Sequence, residues 1–84
     1  MLPAGQGLTT QQVFLAGQKA EVSLVPEPGR ALTIRIAGRD QQICERTAAA
    51  SKAACSWLPV FTHRVEIRIS NQGAQPASYY LVSN

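Results

Sequence analysis

Residues 62–73 read THRVEIRISNQG, and this stretch decides the fold. Three apolar side chains, Val65, Ile67 and Ile69, alternate with polar ones at every even position. Successive side chains of a strand point to opposite faces of a sheet, so the alternation predicts a strand with one buried and one solvated face. A second stretch, 31–37 (ALTIRIA), repeats the pattern. We expect these two strands to form the centre of the fold.

Shorter strand-like segments surround the two central ones. They are predicted at 11–15, 19–25, 42–45, 55–58 and 78–82. Turn formers, such as the PEPG run at 26–29, separate them. The alanine-rich segment 47–54 has the highest helical propensity, but it is too short for a stable helix, so a loop or a single helical turn is expected there. About seven or eight short strands punctuated by turns predict an all-β antiparallel sandwich.

Length and composition favour one small folded domain. The chain has 84 residues, 45% of them hydrophobic, and a net charge of +3. Residues 1–10 show little periodicity and are predicted to be a flexible lead-in to a single sandwich over residues 11–84. The arginines are scattered along the chain, which argues against nucleic-acid binding. No apolar run is long enough to insert into a membrane.

The two cysteines, Cys44 and Cys55, have ten residues between them. They are too few for a closed zinc site, to which only His63 could add a ligand. A disulfide is the favoured interpretation, and a pair of free thiols is the alternative. Such a bridge would contribute roughly 3 kcal/mol in the chain-entropy model and would place the protein in an oxidising compartment. We interpret Met1 as a start residue on a sequence whose signal peptide has been removed, and expect a periplasmic or secreted protein.

The few aromatic side chains are expected in the core, where each buries a large apolar area. We assign to it Phe14, Trp57, Phe61 and one of the two neighbouring tyrosines, Tyr79 and Tyr80.

The C-terminal half carries a series of motifs that includes an Ile-Cys pair, a Cys-x-Trp-x-Pro motif, an Asn-x-Gly turn and a Tyr-x-Leu pair. In this order the chain resembles the bacterial pre-peptidase C-terminal-type domains and their small secreted relatives, over roughly residues 13–84. The matching residues are Ile34, Ile36, Asp40, Ile43, Cys44, Cys55, Trp57, Pro59, Thr62, Ile67, Ile69, Asn71, Gly73, Tyr79 and Leu81.

The resemblance implies a jelly-roll-like sandwich that is exported and non-catalytic. It also implies that Tyr79 and Leu81 face the core while Tyr80 is exposed. This chain departs from the family pattern at His63, where glycine is usual, and at Val65, where an aromatic residue is usual. Some family members bind calcium through acidic loops, but Asp40 is the only aspartate here, so we expect neither a metal nor another cofactor.

Catalytic residues are not evident in the sequence. His63 is the only histidine, and no nucleophile motif accompanies the nearby Ser56, Thr62 and Ser70. Asp40 or Glu66 could orient the imidazole, but strand neighbours point to opposite faces. The carboxylates Glu45 and Glu66 are better explained by cross-strand pairing with arginines than by glycoside hydrolysis. We therefore expect no enzymatic activity.

Two sets of side chains are candidates for binding. Arg35 and Arg68 occupy matching positions in the two central strands, and with Tyr80 they could form a shallow patch for an acidic protein or an envelope glycan. The alternative is an ordinary solvated sheet face.

The second candidate is the disulfide-held segment 44–55, which carries Arg46 and Lys52. If it protrudes, the protein could be a small inhibitor that enters the cleft of a hydrolase; the alternative is a structural staple with an inert tip. The sequence thus favours an exported binding module, with a hydrolase inhibitor as the second function. Because sheet edges can pair between chains, either a monomer or a weak dimer is expected.

Overall fold

The computed structural model describes residues 1–38, 42–49 and 52–83. Predictions that concern Asp40 or the turn at 39–41 lie outside these residues. Within the described ranges, no helix is long and apolar enough to cross a lipid bilayer. The strands are β1 (Gly7–Phe14), β2 (Ala20–Pro26), β3 (Ala31–Ala37), β4 (Gln42–Ala49), β5 (Ala53–Trp57), β6 (His63–Ser70) and β7 (Tyr79–Ser83).

These strands form two antiparallel sheets, which confirms the predicted all-β sandwich. The first sheet has the order β1-β6-β3-β4, and the second has the order β5-β2-β7. The two strands predicted to be central, β3 and β6, are paired neighbours in the middle of the first sheet. Among the described strands, β3 and β4 are the only two that follow each other in sequence and also pair in the same sheet. Every other connection between successive strands passes from one sheet to the other.

The core lies between the sheets and is formed by the apolar residues that occupy every second position of each strand. Ile34 is opposite Ile69, and Ile36 is opposite Ile67, in the pairing of β3 with β6. The second sheet contributes Val22 and Leu24, which are fully buried. Full burial of one such side chain contributes about 1.5–3 kcal/mol to folding. The alternation seen in the sequence therefore marks the main source of stability.

A disulfide closes one side of the sandwich, as predicted. The Cys44–Cys55 bond has an S–S distance of 2.02 Å and a Cα–Cα distance of 6.1 Å. It joins β4, an edge of the first sheet, to β5, an edge of the second. The bond indicates an oxidising, extracellular-type environment.

The described parts of the alanine-rich segment are mostly strand, at 47–49 and 53–54, rather than the loop or helical turn that was expected. β4 continues to Ala49, and β5 already begins at Ala53. The methyl groups of Ala48 and Ala53 are buried in the core. Packing of small side chains between the sheets overrides the intrinsic helical preference of alanine here.

The N-terminal residues belong to the sandwich. β1 begins at Gly7, inside the predicted lead-in. Further upstream Leu2 is buried, and it exchanges two backbone hydrogen bonds with Ala77, of 2.8 and 3.0 Å. The start of β1 was missed because an edge strand is half covered, and its sequence (GLTTQQVF) is polar on both faces.

The expected aromatic core is partly correct. Phe14 is buried and meets the half-buried Trp57 edge-on, with ring centroids 4.9 Å apart. Tyr79 packs against the core from β7, whereas Tyr80 is exposed. The assignment of Phe61 to the core was wrong, because its side chain is mostly exposed.

Candidate binding site

The outer face of the four-stranded sheet brings together two of the predicted site residues. Arg35 of β3 lies directly opposite Arg68 of β6. The two guanidinium groups do not point to a common binding position, however, because the side chain of Arg68 extends across β1. Its Nη1 donates a 3.0 Å hydrogen bond to Oγ1 of Thr9, and a Cβ atom on Gly7 would lie 2.6 Å from its Nη2. Glycine at position 7 thus leaves room for the arginine.

Arg35 has fewer partners than Arg68 among the described residues. On its other side it lies opposite Glu45 of β4. It makes no hydrogen bond or ion pair with any residue that the structure describes. The same holds for the side chains of Glu45 and Glu66, so the cross-strand ion pairs expected on this face are not formed among the described residues. Arg64 instead donates a long hydrogen bond of 3.5 Å to Oε1 of Gln11.

Tyr80 does not join this patch. It lies on β7 in the other sheet, and its neighbours Tyr79 and Leu81 pack against the core. Alternation therefore turns Tyr80 to the outer face of the second sheet, on the far side of the sandwich from Arg35. The predicted basic-aromatic patch is divided between two opposite surfaces.

The disulfide-held segment consists of strand residues at 44–49 and 53–55. Arg46 lies within β4, and its Nη1 donates a 2.9 Å hydrogen bond to the carbonyl oxygen of Glu45. Lys52 is exposed next to the start of β5. Cys44 and Cys55 are strand residues, so the segment is a connection between two sheet edges. The tip at residues 50–51 lies outside the described ranges.

One end of the sandwich presents a surface that the sequence interpretation did not include. Four large apolar side chains lie there on two loops, each more than half exposed and one of them, Val60, 90% exposed. We call them the loop-end cluster: Leu15, Leu58, Val60 and Phe61. Exposed apolar patches on small soluble proteins mark interaction sites more often than single exposed residues do.

Hydrogen bonds tie the two loops together. The amide of Gly17 donates to the carbonyl of Pro59 at 3.0 Å, and the amide of Ala16 donates to Oγ1 of Thr62 at 3.0 Å. Gly17 has a φ of 77°, a conformation that side chains with a Cβ rarely adopt. Pro59 is buried beneath the exposed residues. The apolar side chains are therefore held on a fixed backbone.

Phe61 is further oriented by His63. The two rings lie 4.7 Å apart, and Nδ1 of the histidine donates a 2.9 Å hydrogen bond to the carbonyl of Phe61. His63 is half-buried at the start of β6. Its contacts are those of a residue that positions the loop. The hydroxyl of neighbouring Thr62 already accepts the Ala16 amide.

A shallow groove runs beside Phe61 along the sheet. It is lined by polar side chains of β1 and β6, among them Gln11, Arg64 and Glu66. Phe14 and Trp57, which meet edge-on, are the last residues of β1 and β5, directly before the two loops. The indole Nε1 of Trp57 is buried there without a hydrogen-bond partner among the described residues. The site thus combines an apolar cluster with a polar margin.

The sequence contained a signal for this cluster. Residues 58–61 read LPVF, three large apolar side chains around a proline. Proline prevents a central strand there, so a run of this kind has to lie in a loop. Large apolar residues in a loop point either into the core or out to a partner, and sequence alone does not distinguish the two.

Metal chemistry finds no support in the described part of the chain, where no three His, Cys, Asp or Glu side chains come close enough to share an ion. Comparison of the chain with family models, with curated proteins and with solved structures gives no match.

Proposed function

We propose that the protein is a non-enzymatic exported module that binds another protein through the loop-end cluster. The observation that carries this proposal is the exposure of Leu15, Leu58, Val60 and Phe61 on two loops that are hydrogen-bonded to each other. A partner that covers them removes apolar area from water, which contributes roughly 25 cal/mol per Å² before the costs of association.

The rigidity of this end supports a binding role. Loops that are already ordered lose little conformational freedom when a partner arrives. The backbone of the cluster is fixed at Gly17 and Thr62, and Phe61 rests on His63. The groove beside Phe61 adds hydrogen-bonding groups at the margin of the apolar area. This is the usual plan of a protein interface, an apolar centre with a polar rim.

The disulfide supports the cellular setting that we propose. The Cys44–Cys55 bond supports a periplasmic or secreted protein. The resemblance to the pre-peptidase C-terminal-type domains agrees with an exported bacterial module, and we propose membership of that group on the motifs given above. The outward position of Tyr80 and the packing of Tyr79 and Leu81 agree with what the resemblance implies.

Selection from a random peptide library displayed on phage tests the binding site without a known partner. The matched variants are a loop-end triple, Leu58→Ser with Val60→Ser and Phe61→Ser, and a control triple on the exposed loop at the opposite end, Gln72→Ser with Ala74→Ser and Gln75→Ser. Peptides enriched on the wild type are expected to carry apolar anchors. They should bind the loop-end triple at least about tenfold more weakly and the control triple unchanged.

Peptides that bind the loop-end triple as tightly as the wild type would overturn the proposed site. Failure of the control triple to bind would show that the selected peptides use the other end of the sandwich.

A second candidate is recognition of an acidic protein or glycan by the outer face of the first sheet. It is favoured by the guanidinium of Arg35, which has no hydrogen-bond or ion-pair partner among the described residues and lies beside the arginine-bearing strand β6. Binding to an array of sulfated and carboxylated glycans should then fall on Arg35→Ala and not on Arg46→Ala. Equal binding by both variants would exclude this face.

A hydrolase inhibitor that acts through residues 44–55 is the weakest of the three proposals. It required a protruding loop, whereas Cys44 and Cys55 both lie in strands of the sandwich. Of the residues on which this proposal depends, Lys52 is still exposed and available to a partner.

A further inference from the structure

The two long sides of the sandwich are closed in different ways. On one side the edge strands β4 and β5 are joined by the Cys44–Cys55 bond. On the other side lie the remaining edges, β1 of the first sheet and β7 of the second. These two are joined through side chains, since the hydroxyl of Ser83 donates a 2.8 Å hydrogen bond to Oε1 of Gln12. We call this second side the open side.

The open side lacks the features that usually protect sheet edges. Natural edge strands are guarded by charges, prolines or bulges. β4 carries Glu45 and Arg46 and faces a bulge in β3 at Ile36/Ala37. β1 (GLTTQQVF) and β7 (YYLVS) contain no charged residue and no proline. Both strands therefore offer edge hydrogen-bonding groups without a charge or proline of their own, although Arg68 of the neighbouring strand lies over Gly7 and Thr9 on the outer face of β1.

The two edges also lie in matching positions along the sandwich. β1 ends where the short loop to β2 begins, and β7 runs antiparallel to β2, so β1 and β7 point in the same direction. The Gln12–Ser83 hydrogen bond fixes their relative level. Two residues back along each strand, Thr10 and Leu81 therefore lie at the same height in the two sheets.

From this alignment we infer that two copies of the chain associate across the open side, about a two-fold axis that passes midway between the two copies of Thr10 and midway between the two copies of Leu81. A single axis then pairs β1 with β1 and β7 with β7, both antiparallel. In the first sheet Thr10 lies opposite Thr10 of the second copy, and Leu8 lies opposite Gln12. In the second sheet Leu81 lies opposite its own equivalent, and Tyr80 lies opposite Val82.

This register keeps every side chain on its proper face. Directly opposite residues of an antiparallel pair point to the same side, and the axis pairs even positions with even and odd with odd. Leu8 has the parity that faces between the sheets but is half exposed, because the three-stranded sheet leaves β1 incompletely covered. Tyr80 and Val82, which are 77% and 60% exposed, become a cross-strand aromatic–β-branched pair.

The inferred dimer goes beyond the proposed binding function and changes its consequences. An axis through the middle of the strands places the two loop-end clusters at opposite ends of the assembly, where both stay accessible. The four-stranded sheets of the two copies join into one continuous eight-stranded sheet. Arg35 of both copies then lies on the same outer surface of that sheet. A dimer would therefore present two identical sites to a multivalent partner.

Sedimentation velocity of the full chain with its disulfide intact tests the inference. Over a range of about 10 µM to 1 mM, the weight-average mass of the wild type should rise from monomer towards dimer. Thr10→Lys places two ammonium groups on the axis and should weaken association by about tenfold or more. Thr47→Lys, an equally exposed change on the opposite edge, should leave association unchanged. Thermal melting of both variants checks that each one folds.

A crosslink reports the register directly. Equivalent Thr10 Cα atoms would lie about 4.5–5.5 Å apart, within reach of a disulfide. Thr10→Cys should therefore give a reducible covalent dimer on mild oxidation, and the matched Thr47→Cys should not. A wild type that is monomeric throughout, a Thr10→Lys variant that associates as strongly as the wild type, or equal crosslinking by both cysteine variants would overturn the inference. None of these outcomes depends on the loop-end cluster, so the proposed function is tested separately.

Discussion

The two ends of this sandwich are built from the same strands but are finished in opposite ways. At one end, which we call the sealed end, Leu2 and Ala77 are buried and bridge the N-terminal segment to the loop before β7. At the other end, Val60 and Phe61 of the loop-end cluster are exposed. β6 links the two, since it begins next to Phe61 and ends next to Asn71. Their difference separates what stabilises the fold from what is available to a partner.

Asn71 organises the sealed end. It is 2% exposed, and its side-chain amide donates to the carbonyls of Leu2 at 3.0 Å and Gln75 at 2.8 Å. Its Oδ1 accepts the Gly73 amide at 3.0 Å. A buried polar group is tolerated when its hydrogen bonds are made, and here three side-chain bonds join two segments of the chain. Among the described residues, no comparable set of hydrogen bonds covers the loop-end cluster, and its apolar side chains are exposed.

The largest effect is expected at the sealed end. Asn71→Ala removes three hydrogen bonds and leaves the carbonyl of Leu2 without its side-chain donor, so the free energy of unfolding should fall by about 3 kcal/mol. Urea denaturation measures the change, and Gln72→Ala, an exposed neighbour, is the matched control. A loss below about 0.5 kcal/mol would mean that this end is not held by Asn71.

Reduction of the disulfide is expected to have an effect of about the same size. The bond lies on the side of the sandwich between the two ends. Its loss should therefore destabilise the whole fold, and the sealed end and the loop end to a similar extent. A loop of this size corresponds to about 3 kcal/mol in the chain-entropy model, and each kcal/mol corresponds to about 4–8 °C in a domain this small. Thermal melting with and without reductant gives the shift. An unchanged Tm would remove the main physical support for an exported protein.

The loop-end triple variant should separate stability from binding. Because Leu58, Val60 and Phe61 are mostly exposed, their replacement by serine should change the free energy of unfolding by less than about 1 kcal/mol in total. The same variant should lose the binding of selected peptides. Loss of more than about 2 kcal/mol would show that the cluster is structural and that the contrast between the ends is false.

The smallest effect is expected beneath the loop-end cluster. Trp57→Phe removes apolar area but also removes the buried Nε1–H that has no partner among the described residues. The two effects oppose each other, so the net change in unfolding free energy should be within about 1 kcal/mol. Chemical denaturation with Tyr79→Phe as a control for aromatic truncation measures it. A large destabilisation would indicate that the indole N–H is hydrogen-bonded in solution.

The parts of the fold that follow the alternation rule could be predicted from the sequence. β3 was placed at the residues where it occurs, and the strands β3 and β6, which were expected to be central, are paired in the middle of the first sheet. The disulfide was favoured because two cysteines make no closed metal site. These features depend on local sequence patterns or on the number of cysteines, and neither of these depends on which strands pair in the folded protein.

The parts that depend on which strands share a sheet could not be predicted. Arg35 and Arg68 lie opposite each other on neighbouring strands, as the patch hypothesis requires, but Tyr80 lies on the other sheet, because tertiary pairing decides the sheet to which β7 belongs. The sealed end was missed because Leu2 is buried by contacts with residues far along the chain. Phe61 was misplaced because an apolar residue in a loop carries no periodicity that shows its direction.

The most direct test of the contrast between the ends is NMR chemical-shift mapping of the wild-type protein with a peptide selected on it. The account predicts that the perturbed amides cluster at residues 15–17 and 58–63, while those of Leu2, Asn71 and Ala77 stay unchanged. Perturbations centred on the sealed end, or on the outer face around Arg35 with the loop end unaffected, would contradict it.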